Sequence, residues 1–68
     1  MTMNIYINEK PHVLTAPTTL TELIEQLGLT GKRIAIELNQ EIAPRSQYSQ
    51  ITLQENDQLE IVHAIGGG

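Results

Sequence analysis

Between two stretches that alternate apolar and polar residues, Leu20, Leu23, Ile24 and Leu27 recur at positions i, i+3, i+4 and i+7. That spacing gathers all four on one face of a single short helix. The preceding Thr19-Leu20-Thr21-Glu22 matches a capping box, in which Thr19 caps the backbone and Glu22 reaches back. Glu22 also suits the positive end of the helix dipole. Glu22, Glu25 and Gln26 take the wet side, and Gly28 stands where a glycine would end the helix. A helix this short is marginal alone, so its leucine stripe must lie on a sheet. The stripe therefore reads as core and not as a cofactor box.

The rest of the chain supplies that sheet. Met3, Ile5 and Ile7 alternate with Asn4, Tyr6 and Asn8, as a half-buried strand requires. Asn8-Glu9-Lys10-Pro11 is a polar break suited to a turn, and residues 12–16 form a second, weaker strand, with either Val13 or Leu14 facing inward. The short link predicts an antiparallel hairpin. Pro17 ends that strand, and the helix follows. Beyond the connector 29–32, residues 33–38 return to period two, with Ile34, Ile36 and Leu38 on one face. Asn39-Gln40 is a tight turn into Glu41-Ile42-Ala43, which Pro44 interrupts. Residues 45–50 read as an irregular crossing plugged by Tyr48, and Ile51-Thr52-Leu53 packs or pairs briefly. Glu55-Asn56-Asp57 is a turn, and residues 58–65 form the last strand. Two hairpin-like pairs flanking one helix predict an α+β layer pair. A β-grasp satisfies it: a mixed sheet with one main helix packed across it and the first and last strands central.

The chain has 68 residues, no cysteine and a net charge of −4. One domain of this size is near the lower limit for a core without a disulfide or metal. Without cysteine there is no disulfide framework, thiolate site or cysteine nucleophile. The acidic balance argues against nucleic acid or an anionic membrane as partner, though not against a basic protein surface. The N-terminus lacks the basic and apolar regions of a signal peptide, and no run approaches a membrane span. The expected setting is the cytoplasm.

The last strand runs out in Gly66-Gly67-Gly68. Glycine accepts nearly any backbone conformation, so a thin, mobile tail is expected there. Three extended residues reach on the order of 10 Å, enough to enter a neighbouring protein's cleft. By composition alone such a tail is equally a frayed terminus. Domain organisation is accordingly expected as a β-grasp domain over residues 1–65 and a flexible tail over 66–68.

Residues 34–46, the 57–62 run and the triple-glycine end together resemble the sulfur carrier proteins of thiamine biosynthesis, the ThiS family, and the resemblance covers the whole chain. A terminal diglycine is shared with the small subunit of molybdopterin synthase and with protein modifiers. The hydrophobic-Pro-Arg element at Ala43-Pro44-Arg45, followed by an aromatic, is more specific. Gln40 and Asn56 stand where the family commonly has glycine, and Tyr48 where it commonly has tryptophan.

The resemblance implies a ubiquitin-like β-grasp and a carrier that is not itself an enzyme. Its Gly68 carboxylate would be adenylated by a ThiF-type adenylyltransferase, then converted by a sulfur-donor protein to a thiocarboxylate, the 1-thioglycine form. A ThiG-type thiazole synthase would take the sulfur. Covalent activation of this kind divides one difficult step into easier ones. ATP and magnesium would be used by the activating partner, with no cofactor or metal bound by this chain, which is expected to be monomeric when free. Gly66, Gly67 and Ile65 would carry the tail into partner clefts. Strand parity turns Val62 away from Leu59 and Ile61, so Val62 and Ala64 read as exposed contacts beside the tail, and Arg45 as a candidate docking cation. His12 and His63 lack the positioned partner that acid–base catalysis needs. The alternatives are a molybdopterin-type carrier, a ubiquitin-like modifier or a noncovalent interaction module.

Overall fold

In a computed structural model, which describes residues 2–63, the elements are β1 (Met3–Ile7), β2 (Lys10–Leu14), α1 (Leu20–Gln26), β3 (Ile34–Leu38), β4 (Glu41–Ile42), a 3-10 helix (Arg45–Gln50) and β5 (Gln58–His63). The sheet has five strands in the order β2-β1-β5-β3-β4. β1 and β5 run parallel, and the remaining neighbours pair antiparallel. The first and last strands thus lie side by side inside a mixed sheet. The helix, as its stripe requires, buries Leu20 and Leu23 completely. They pack with Ile5, Leu14, Ile36, Leu53 and Leu59 in one core. Ile24 and Leu27 complete the stripe at its edge.

Both halves of the capping box form. The Thr19 N–H donates to Glu22 Oε1 at 2.8 Å, and the Glu22 N–H donates to Thr19 Oγ1 at 3.2 Å. The helix start is also tied to the segment before β5: the Leu20 N–H donates to the Ile51 carbonyl at 3.0 Å and the Leu53 N–H to the Thr18 carbonyl at 2.9 Å. These bonds give a seven-residue helix the external support that its length demands. Tyr48 plugs the crossing as expected, and the crossing itself is a 3-10 helix.

The first hairpin begins earlier than expected. Asn8 and Glu9 both take left-handed φ values, 50° and 70°, and place Lys10 directly across from Ile7. That two-residue turn matches the twist of the strands it joins, so β2 starts at Lys10 and includes Pro11. β2 is the edge of the sheet, the place in a ladder where proline is tolerated. The same register settles the inward residue: Leu14 is buried, and Val13 is exposed on the far side. The strand consequently ends at Leu14, before Ala16.

Asn39 and Gln40 repeat the device between β3 and β4, with φ of 52° and 73°. Glycine at the second position of such a turn removes the Cβ strain of the left-handed region. Gln40→Gly is expected to raise stability by about 0.5–1 kcal/mol, read as a higher urea midpoint at unchanged slope. A lower midpoint would mean that the Gln40 side chain stabilises the turn.

Candidate functional site

β5 carries the chain to the tail, and its position is set on both sides. Along β1, the Tyr6 N–H donates to the Asp57 carbonyl at 2.9 Å and the Asn8 N–H to the Leu59 carbonyl at 2.8 Å. Asn8 then continues the ladder with its side chain. Its Oδ1 accepts from the Ile61 N–H at 2.8 Å, and its Nδ2 donates to the Ile61 carbonyl at 3.1 Å. On the other side, β3 pairs with β5 over Ile34–His63 to Leu38–Leu59. Asn39 holds the start of β5 by accepting from the Gln58 N–H at 3.0 Å and donating to Asp57 Oδ1 at 3.0 Å.

Leu59 and Ile61 face the core, and Val62 lies on the opposite face, 55% exposed, paired across the strand with Ala35. Arg45, the first residue of the 3-10 helix, is brought to the same end of the sheet. Its Nη2 donates to the Ile34 carbonyl at 3.5 Å, and Ile34 is the cross-strand partner of His63. Val62 and Arg45, distant in sequence, therefore flank the point from which residues 64–68 continue, one on the outer face of the sheet and one on the helix side. Ala64, Ile65, Gly66, Gly67 and Gly68 lie outside the described residues. His12 sits on β2 opposite Ile5, and His63 is exposed at the end of β5. Among the described residues, no three His, Cys, Asp or Glu side chains gather in a way that could hold a metal ion, and no helix is long and apolar enough to cross a membrane.

The outer face holds a feature that sequence parity alone did not bring out. Glu37 and Glu60 sit directly opposite each other across β3 and β5, and Glu9 lines the same shallow depression. Directly facing like charges destabilise a sheet. The parity of each glutamate was legible, but their pairing depended on the β3–β5 register. Ile42, 65% exposed, pairs beside Glu37 and adds to the apolar part of this face.

The ThiS family model matches residues 2–68. A thiazole synthase of Magnetococcus marinus is 44% identical over 66 residues, which cover 97% of this chain and 20% of that protein. The chain thus spans about one-fifth of the length of that relative and of a second thiazole synthase, from Paramagnetospirillum magneticum. The sulfur carrier protein ThiS of Escherichia coli is 36% identical over 97% of this chain and 100% of its own length. Among solved structures, the crystal structure of the thiamine biosynthesis protein ThiS from Geobacter metallireducens superposes with a TM-score of 0.84 at 29% identity, covering 97% of this chain and 100% of that one.

Glu60→Gln is expected to raise stability by about 0.2–1 kcal/mol in low salt by removing the facing charge. The gain should shrink in 1 M salt, where screening acts within about 3 Å. A loss of stability in low salt would show that Glu60 has a favourable partner.

Proposed function

The chain belongs to the ThiS family, and on that footing we propose that it carries sulfur for thiamine biosynthesis on the carboxylate of Gly68. A carboxylate is a poor electrophile. One of its oxygens attacks the α-phosphorus of ATP, pyrophosphate leaves, and the glycine carbonyl is joined to AMP. A hydrosulfide ion supplied by a donor protein then attacks that carbonyl carbon, AMP departs as the leaving group, the S–H proton passes to solvent, and a thiocarboxylate remains. ATP and magnesium belong to the adenylyltransferase that performs the first step. The chain contributes the reacting carboxylate, a tail thin enough to enter a cleft, and a domain that partners can grip.

The observation that carries this reading is the extent of the family match, which takes in the three terminal glycines as well as the domain. The Escherichia coli ThiS supports it further, since this chain covers that relative entirely. A thiazole synthase is the receiving partner. Two relatives bear that name and contain a segment like this chain within one longer polypeptide. Covalent linkage raises the effective concentration of one unit at the other, which suits a carrier and its acceptor. On the domain, Val62 is the proposed contact beside the tail. Its exposure and its place two residues after Glu60 give an apolar anchor bordered by negative charge, which fits a partner surface with a basic rim. The reaction is placed in the cytoplasm.

Intact-mass measurement of the chain from cells starved of thiamine tests this directly. The expected species has one oxygen replaced by sulfur at Gly68, and it should vanish on replacing Gly67 by a bulky residue that blocks entry to the activating cleft. An unmodified chain accompanied by isopeptide conjugates to lysine would overturn the carrier reading in favour of a protein modifier.

A further inference from the structure

Although the chain is acidic overall, its cations are not scattered. Three of its four Lys and Arg residues, Lys32, Arg33 and Arg45, line a single cavity of about 450 Å³ between α1, the connector to β3 and the 3-10 helix. Ile24, Leu29 and Tyr48 contribute its apolar lining, and among the described residues Glu25 is the one carboxylate side chain on its wall. Arg45 directs one N–H of its guanidinium at the Ile34 carbonyl, at the long end of hydrogen bonding. A guanidinium has five donors, so most of its capacity is unspent on that contact. Gathering three like charges gives the free domain no evident gain. An anionic occupant would turn their mutual repulsion into attraction.

The position of the cavity says where that occupant comes from. Ile34 lines it and pairs with His63, and the next residue, Ala35, pairs with Val62. The groove therefore opens at the end of the sheet from which the tail departs, on the helix side, while Val62 marks the outer side. A protein that grips the tail must cover this end of the sheet and meet the groove. We propose that the groove seats an acidic, partly apolar segment of the thiazole synthase, next to the cleft that takes the glycine tail. This rests on the carrier reading and gives its partner a definite chemistry: carboxylate side chains set among apolar ones. With negative charge on the outer face at Glu37 and Glu60 and positive charge in the groove, only one orientation of the carrier satisfies both.

The test is calorimetric titration of the full chain with the thiazole synthase at low and high salt. It compares wild type, the double variant Lys32→Glu/Arg33→Glu, its neutral counterpart Lys32→Gln/Arg33→Gln, and Val62→Asp on the outer face. All three side chains replaced are exposed, and the neutral pair keeps the comparison readable should charge reversal disturb folding. The expected result is a loss of affinity on the order of tenfold or more for the reversed pair at low salt, a smaller loss for the neutral pair, and a flatter salt dependence in both. Wild-type affinity for both pairs, with weakened binding by Val62→Asp, would overturn the groove proposal and leave the carrier reading intact. Absence of binding by wild type would overturn the partner reading and the groove proposal with it. Saturation of the groove by inorganic phosphate at submillimolar concentration, with no effect of the variants on thiazole synthase binding, would assign it to a small anion instead.

Discussion

The Asn8 side chain bonded to both backbone groups of Ile61 is the contact on which the arrangement of this molecule turns. β1 and β5 are far apart in sequence, and their parallel backbone register extends only over Tyr6–Gln58 and Ile7–Leu59. At Asn8 the chain turns away into β2, yet the amide supplies the donor and acceptor that a further strand residue would have supplied. Without it, two part-buried backbone groups would lack those partners, at a cost of about 1–3 kcal/mol each if left unsatisfied. Asparagine suits the position twice over, because it also tolerates the left-handed conformation found there, φ 50°. One residue thus sets the first hairpin and pins the last strand.

From that pin follows the division of labour between the faces. With β5 held between β1 and β3, Leu59 and Ile61 are committed to the core and Val62 to the outer surface. A slip of one residue would exchange the two sets. The core is small, and its helix has seven residues, so the capping box and the bonds from Thr18 and Leu20 to the 51–53 segment keep the helix seated. The chemistry proposed for the chain asks nothing of this core except that it hold the strand still. The sheet end then presents two kinds of surface beside the tail, acidic and apolar outside, basic and apolar on the helix side.

Much of this was visible in the alternation of residues. The four apolar positions of α1, the capping box and the inward parity of Ile34, Ile36, Leu59 and Ile61 follow from spacing alone, because burial on one face leaves a period in the sequence. The start of β2 was not legible there, since Pro11 suggests a break wherever the sheet edge is unknown, and only the Asn8-Glu9 turn sets the register that places Leu14 inside. Asn8 itself reads as a turn former, and nothing local betrays its bonds to Ile61, 53 residues away. The facing of Glu37 and Glu60 and the convergence of Lys32, Arg33 and Arg45 are likewise products of register and crossing. The triple glycine carries the opposite signal: it stands out in the sequence and lies outside the described residues.

If β5 is a fixed handle and the tail a measured reach, distance should matter as much as chemistry. Deleting Gly68 leaves a terminal glycine behind Gly66, so the functional group survives, but its carboxylate stops about 3.3–3.6 Å short. Reacting atoms must approach to about 3–3.5 Å, and a strand pinned at Ile61 cannot slide to make up the difference. The direct measurement is ATP–pyrophosphate exchange by the adenylyltransferase with the shortened chain. Exchange is expected to fall by orders of magnitude while the thermal midpoint of the domain is unchanged; exchange at the wild-type rate would contradict a measured reach and leave a requirement for terminal glycine alone.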